Sequence, residues 1–528
     1  MCRPRQWGTA HRASRARPGN EMPPDRCPAT VRRSRHRGRD RRLGAPPDDE
    51  VRGRAMTTAH TRKRRSHGTD APPRSRGARS LTPLQFLAYG GGDAANNLAF
   101  SLAVTFLPLY LTDVALISPA TVGTIFLVMR FVDAFTDVIM GSVIDRTSTR
   151  IGKFRPWILA GSIPLIALAI ANFAMPAGLH GTVWAVVWAA VAYFLMGSVA
   201  YTAVNIPYGS LAAAMTDNGT ERSRLALFRS FGTAIMQVAL ALAISPALSA
   251  YAGDPDALQS ALIRTLIPLG VLALALYVLL FAVSRENVRR SVDRVSLRSS
   301  LRTIASNRAL QMLGASSIAY LLGLFAANGL VAYYTRDVLG SAGLLAVFVA
   351  AISGTVLVVG WAVPPLIRRL GKPRLFRLAA GVGVVGALIL MLVPADMLWL
   401  AVLGALLFGA SSGSVNAIMW NMEADTVEYG EWASGYRSEG TTYAVFSFLR
   451  KLAQALGGAV GIWMIGWFGY QGGVPAQSDS AVNGIRLAMG ALPAAAMLLS
   501  ILLMRFYPMD DAAHRRILAD LDERARRE

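Results

Sequence analysis

Three ionisable residues interrupt the apolar part of LVMRFVDAFTDVIMGSVIDR (127–146) ahead of its terminal Asp145 and Arg146: Arg130, Asp133 and Asp137, at i, i+3 and i+7. At 100° per residue on a helix they lie within about 60° of one another, on a stripe roughly 10 Å long. Two carboxylates one turn apart, with Thr136 beside them, make an oxygen-rich site for a hard monovalent cation such as Na⁺. Protonating one carboxylate would neutralise the charge equally well, so Na⁺ and H⁺ both remain open. The blander alternative, Arg130 pairing with one aspartate as structural glue, leaves the second aspartate unexplained. A charge inside a membrane span costs at least a few kcal/mol, which makes each such group a functional candidate.

A second set of polar residues is suited to hydroxyl-rich solutes. Asp93 stands in YGGGDAANNLAF (89–100), followed by Asn96 and Asn97, and AYTAVNIPYGSL (200–211) supplies Tyr201, Thr202, Asn205 and Tyr208 around Pro207. Arg130, Arg229 and Lys451 are cations in the same apolar surroundings. Sugar hydroxyls can donate to Asp93 and accept from these cations, while aromatic rings cover the apolar faces of the solute. Inter-helix hydrogen bonding would explain any one of these residues alone. The set as a whole predicts a ligand-binding cavity.

The elements that must hold these residues are membrane helices. Of 528 residues, 53% are hydrophobic and only 16% charged, too apolar for an ordinary soluble domain. Stretches of about 20 apolar residues, each enough to cross a ~30 Å hydrocarbon core, recur from Leu84 onward. They fall at 84–110, 119–143, 156–175, 183–214, 226–250, 265–284, 310–335, 343–366, 376–394, 397–422, 440–468 and 484–506, twelve in all. Lys and Arg in the loops divide 25 to 3 between the two sides, which predicts that both termini are cytoplasmic. IGKFRPWILAG (151–161) after the second span is echoed by LGKPRLFRLAAG (370–381) after the eighth. This spacing predicts a parallel duplication: an all-α integral membrane protein of two pseudo-symmetric six-helix bundles, 81–284 and 310–506, with substrate near mid-membrane between them. Residues 285–309 form the central cytoplasmic loop and 507–528 a cytoplasmic tail.

Residues 1–80 are Arg/Pro/Ser/Gly-rich and hold 22 of the 54 Lys and Arg residues. They are expected to be disordered, as a solvated leader with Met56 as the real start or, alternatively, as a polybasic arm attracted to anionic lipid or nucleic acid. Because the basicity is confined to this tail and to loops, specific nucleic-acid binding is not expected. Both cysteines, Cys2 and Cys27, lie in the tail, which excludes a disulfide scaffold or a Cys-based metal or redox site in the body. The body's two histidines, His180 and His514, fall in a loop and in the C-terminal tail, leaving no nucleophile–base pair for an embedded enzyme. A sensor would need a soluble output domain, and neither terminus provides one.

GKFRPWIL, NIPYGSL…MTDNGTERSRLALFRSFG and ADTVEYGEWASGYRSEGTTYAVFSFLRKLAQALG, in that order, resemble the glycoside–pentoside–hexuronide:cation symporters of the major facilitator superfamily. The resemblance covers nearly all of 81–528. It implies the major-facilitator fold and cation-coupled transport of a sugar or glycoside, with Asp133, Asp137 and Thr202 serving the cation. It also implies sugar binding by Asp93 and Arg229, and a Lys451 linked to both sites. The family's melibiose permeases have Asp where Asn205 stands, Trp where Gly209 stands, Asn where Thr136 stands and Lys where Gly92 stands, so melibiose itself is not the expected substrate.

Alternating access between the bundles is the expected mechanism, in a monomer of a bacterial-type cytoplasmic membrane, with lipid around it and no cofactor beyond the coupling ion. Asp145, Arg146, Asp217, Glu221, Arg222, Asp425, Glu428, Glu431, Arg437 and Glu439 are candidates to pair across the halves and close the cytoplasmic gate in the outward-open state. Each such pair is worth only ~0–1 kcal/mol, so a gate needs several together. Cation-coupled carriage of a lysolipid or other amphiphile is the competing reading, and the polar lining of the first and fourth spans weighs against it.

Overall fold

The computed structural model describes residues 80–251, 253–287, 305, 307–435, 437–474 and 476–527. The expected tail and most of the central loop lie outside the described residues. Every regular element among the described residues is helical. Twelve long rods appear in chain order: α1 (Pro83–Asp113), α2 (Pro119–Arg146), α3 (Arg155–Ala171), α4 (Val183–Met215), α5 (Gly219–Ala250), α6 (Pro255–Val283), α7 (Arg308–Val338), α8 (Leu344–Leu370), α9 (Lys372–Leu392), α10 (Leu398–Ser434), α11 (Glu439–Trp467) and α12 (Asp479–Met504). Nine are long and apolar enough to cross a membrane; α3 is apolar but shorter, and α2 and α11 match the others in length and carry the buried charges. Several rods overrun the expected limits, α5 beginning at Gly219 and α10 ending at Ser434. Their polar ends extend as helix beyond the apolar stretch, where hydropathy gives no signal.

Helix packing repeats across the two halves. α1 packs on α5 and α6 as α7 packs on α11 and α12, and α3 on α6 as α9 on α12, while α2 crosses to α11 and α5 to α8. The echoed loop sequences fold alike as well. Gly152 and Gly371 both adopt positive φ (+122° and +79°), and each faces a carboxylate that follows the last helix of its own half, Glu286 and Asp511. Any Cβ there would collide with that carboxylate. Glu286 accepts the backbone N–H groups of Lys153, Phe154 and Arg155 at 2.7–3.0 Å, satisfying the orphan donors at the start of α3.

Four rods contain π-helical stretches: α1 (Leu102–Phe106), α4 (Phe194–Tyr201), α7 (Tyr334–Val338) and α12 (Leu487–Ala491). Such widened turns shift the register of everything beyond them and occur often at functional sites. The segment expected as a tail contains a further helix, α13 (Asp511–Arg527), docked on α10 through the buried Ile517 and a Trp432–Asp520 hydrogen bond of 3.0 Å. Its single apolar stripe is too short to register as a span, which is why the sequence reading passed over it.

The face bearing α13 and the basic loops is called the basic face below. At the opposite face the halves are joined by a buried network. Asp113, 6% exposed at the end of α1, is 3.3 Å from Arg336 of α7 and accepts from Tyr470, which follows α11, at 2.9 Å. Arg336 also pairs with Asp337 at 2.8 Å and donates to Tyr470 at 2.6 Å, while Thr112 and Tyr333 bond across the halves at 2.9 Å. Gln237 to Ser353 (2.7 Å), Ser245 to the Ala342 carbonyl (2.6 Å) and Trp463 to the Ala120 carbonyl (3.0 Å) add further cross-links. On the basic face, among the described residues, no ion pair crosses between the halves.

The Asp113 network is therefore expected to latch this conformation. Asp113→Asn preserves shape and removes the charge facing Arg336. With Cys2 and Cys27 replaced by serine, a cysteine introduced at Val104 should then react with an impermeant maleimide from the opposite face at least about fivefold faster, a shift of about 1 kcal/mol. An unchanged rate would reduce the network to passive packing.

Candidate functional site

α2 and α4 run parallel, and their polar residues meet in register. Ser198 donates to Asp133, and Thr202, four residues on, donates to Asp137 at 3.0 Å, four residues after Asp133. Both carboxylates are thus met by a hydroxyl at matching i, i+4 spacing. The π stretch Phe194–Tyr201 contains Ser198 and ends immediately before Thr202, so it sets the rotation that aims both hydroxyls at α2. Ser198 was not legible beforehand, since a serine in GSVA carries no spacing signal by itself. The expected role of Thr136 differs: its hydroxyl donates to the Asp133 backbone carbonyl at 3.1 Å, the usual way a helical threonine satisfies itself.

The two acids have different cations. Asp133 lies 3.5 Å from Arg130 within α2, and Arg130 sits over the Phe100 ring at 5.5 Å. Asp137 forms an ion pair with Lys451, which belongs to α11 in the other half. This pair joins the two bundles inside the apolar region, in the conformation latched at the opposite face.

Asp93 lies deep in the first half, 1% exposed, and its carboxylate is fully engaged. Arg229 donates at 2.9 Å, Asn97 at 2.9 Å, and Thr233 donates to the same oxygen as Asn97. The Arg229 side chain remains 47% exposed, so the pair presents its cationic end to open space. Close approach of α1 and α5 makes this possible: a Cβ on Gly232 would run into the Gly90 backbone. Beside it, Asn96 donates to Asn205 at 2.9 Å and to Tyr201 at 3.3 Å, and accepts from Tyr277 at 3.3 Å.

Tyr208 departs from its expected place in the binding surface. It is fully buried, stacked on Tyr89 at 4.8 Å, with its hydroxyl donating to the Tyr89 carbonyl at 2.9 Å. Arg229 lies over its ring at 5.6 Å. The ring acts here as a platform for Arg229. Nothing lies within 4 Å of where a Gly209 side chain would begin, so the place taken by Trp in melibiose permeases is open space. Between the halves, Arg130, Phe126 and Tyr193 on one side and Phe325, Gln454 and Gly458 on the other enclose a cavity of about 30 Å³.

Among the described residues, the ion pairs that the gate candidates make lie within their own halves. Asp145 binds Lys153 (2.8 Å), Asp217 lies 3.7 Å from Arg222, and Asp425 binds Lys372 (2.6 Å). Glu428 meets His514, and Arg437 binds both Glu431 and Glu439 at 2.7 Å. Arg146 is exposed. Glu221 is buried, accepting from the Leu81 backbone (3.0 Å) and the Thr216 hydroxyl (2.5 Å), so it ties the start of α1 to the α4–α5 turn.

Arg229→Ala would strand a buried carboxylate at Asp93. Thermal unfolding in detergent is expected to show a loss of about 2 kcal/mol, less than a fully buried pair would lose because the guanidinium is half exposed. Adding Asp93→Asn should recover most of it. A double variant no better than the sum of its parts would mean the two residues do not act as a pair.

Residues 88–511 match the family model described as MFS/sugar transport protein. The chain is 37% identical to the glucuronide carrier protein homolog of Escherichia coli (strain K12), over 83% of this chain and 95% of that one. It is 30% identical to the isoprimeverose transporter of Lactiplantibacillus pentosus, over 87% and 96%. The fold is also that of a solved bacterial homolog of the human lysosomal transporter Spinster, at TM-score 0.58 and 13% identity, covering 84% of this chain and 99% of the other. Twelve paired rods, charges buried between two bundles and sequence matches of this extent converge: the chain belongs to the MFS/sugar transport family and is a multi-pass membrane transporter, not an enzyme.

Proposed function

We propose that the protein is a symporter that couples Na⁺ or H⁺ to the movement of a sugar or glycoside by alternating access, in a cytoplasmic membrane whose inner side meets the basic face. The observation that carries this reading is the matched register of Asp133 and Asp137 with Ser198 and Thr202, with Asp137 held by a lysine of the opposite bundle. Two carboxylates and two hydroxyls one turn apart supply the oxygen ligands a monovalent cation needs, or a proton-accepting pair. Both termini would then be cytoplasmic, and the conformation described is inward-facing.

An arriving cation competes with Lys451 for Asp137. Its charge satisfies the carboxylates that Lys451 and Arg130 otherwise hold, and this releases Lys451 toward the solute. Arg229, held in place by Asp93, binds hydroxyls with Asn205 nearby, and Arg130 completes the cationic lining between the halves. Because each ligand favours the arrangement the other needs, cation and sugar raise each other's affinity reciprocally. When the opposite face opens, the acids and bases of the basic face exchange their partners within each half for partners across the halves. Several such pairs together make the gate, since each alone is worth ~0–1 kcal/mol. The polar character around Asp93, Asn96 and Asn205 favours a hydroxylated solute over an amphiphile.

Uptake into proteoliposomes under an imposed Na⁺ or H⁺ gradient tests the coupling. Asp133→Asn with Asp137→Asn is expected to abolish accumulation above equilibrium, and concentration-driven exchange should survive in part. Accumulation at the wild-type level would remove the aspartates from coupling. Asp93→Ala is expected to lose binding of radiolabelled glycosides altogether; normal binding would remove Asp93 from the sugar site.

A further inference from the structure

Among the described residues, not every charge buried in the two bundles has a counter-charge beside it. Asp93 is paired with Arg229, Asp133 with Arg130 and Asp137 with Lys451. Arg450, in the middle of α11, is within ion-pairing distance of no carboxylate among the described residues. Its contacts are neutral: the Asn416 side-chain oxygen at 2.7 Å, the Met419 sulfur at 3.4 Å, and the rings of Trp420 and Phe446 at 4.9 and 5.9 Å. Glu423, the first acid along α10, lies seven residues beyond Asn416, about 10 Å further toward the basic face, and makes no ion pair among the described residues.

Arg450 continues the stripe of α11 that lines the cavity between the halves. It precedes Gln454 and Gly458 at i, i+4 and i+8 on α11, one stripe, and both of those line the cavity between the halves. Its neighbour Lys451 reaches across to Asp137, so this turn of α11 faces the first bundle. Asn416 is exposed, and Tyr443, stacked on Trp420 at 5.6 Å, is 56% exposed. A guanidinium with unused N–H groups beside an exposed amide and a stacked aromatic pair is the arrangement that grips a planar anion while rings cover a sugar's C–H face. Buried charge without a counter-charge is costly, and a bound anion removes that cost.

Resting on the sugar reading above, we propose that the substrate carries an anionic substituent, a carboxylate or a sulfonate, and that Arg450 with Asn416 is the site that recognises it. Arg450 thereby determines specificity: the first bundle reads hydroxyls and couples the cation, and the second reads charge.

The test compares three glycosides on the full chain in nanodiscs by isothermal titration: p-nitrophenyl β-D-glucuronide, p-nitrophenyl β-D-glucoside and p-nitrophenyl α-sulfoquinovoside. The wild type is expected to bind one of the two anionic ligands at least about tenfold more tightly than the neutral one; the arm that wins separates carboxylate from sulfonate. Arg450→Gln should bring that ratio to about one, and Arg450→Lys should keep part of it. Asn416→Asp guards against a variant that merely fails to fold. It installs the missing carboxylate beside Arg450, so it should stabilise the protein and still abolish the preference. A wild type that binds the neutral glycoside equally well or better overturns the anionic class and leaves the sugar reading standing. A preference unchanged in Arg450→Gln and Asn416→Asp overturns the assignment of Arg450. Binding of none of the three removes the sugar reading and this inference with it.

Discussion

Charge in an apolar medium must find a partner, and the pairing of a few such charges governs this molecule. Inside hydrocarbon a lone carboxylate or guanidinium is costly enough that its position is decided by its counter-charge. Asp133 and Asp93 find theirs within the first bundle. Asp137 finds Lys451 in the second, so the requirement for neutrality becomes a mechanical link between two bodies. Anything that satisfies Asp137 in place of the lysine alters how strongly the halves are joined.

The same principle operates at the opposite face with a different result. Asp113, Arg336, Asp337 and Tyr470 form a connected set, one guanidinium shared by two carboxylates and the tyrosine bonded to both Asp113 and Arg336. A network of that kind is stable only when complete, which makes it bistable, suited to being made in one conformation and broken in another. On the basic face the ion pairs among the described residues lie within each half.

Backbone geometry gives these side chains their precision. A π stretch in α4 carries Ser198 and Thr202 to α2, and glycines in α1 and α5 let two helices approach closely enough for Asp93 to reach Arg229 and Thr233 together. Gly152 and Gly371 each admit a carboxylate at the start of the third helix of their half, and at Gly152 that carboxylate, Glu286, caps the helix. Duplication has thus preserved the scaffold in both halves, while the chemistry has diverged: acids predominate in the first, and Lys451 and Arg450 stand in the second.

Hydropathy and loop charge read directly from the sequence determined the helical class, the positions of the spans and the duplication, because membrane insertion responds to composition over about 20 residues. The same reading found Asp93, Asp133, Asp137, Arg229 and Lys451, since a charge in an apolar run is conspicuous in one dimension. It missed Ser198, Thr233 and Asp113, whose types are ordinary in their local context and whose importance lies in partners far along the chain, 65 residues away for Ser198 and 223 for Asp113 and Arg336. It set Tyr208 at the binding surface, whereas stacking on Tyr89 buries it, and it read α13 as a tail. Which acid meets which base, and that Arg450 meets none among the described residues, was decided only when the helices packed, because electrostatic pairing depends on distances in space and not along the chain.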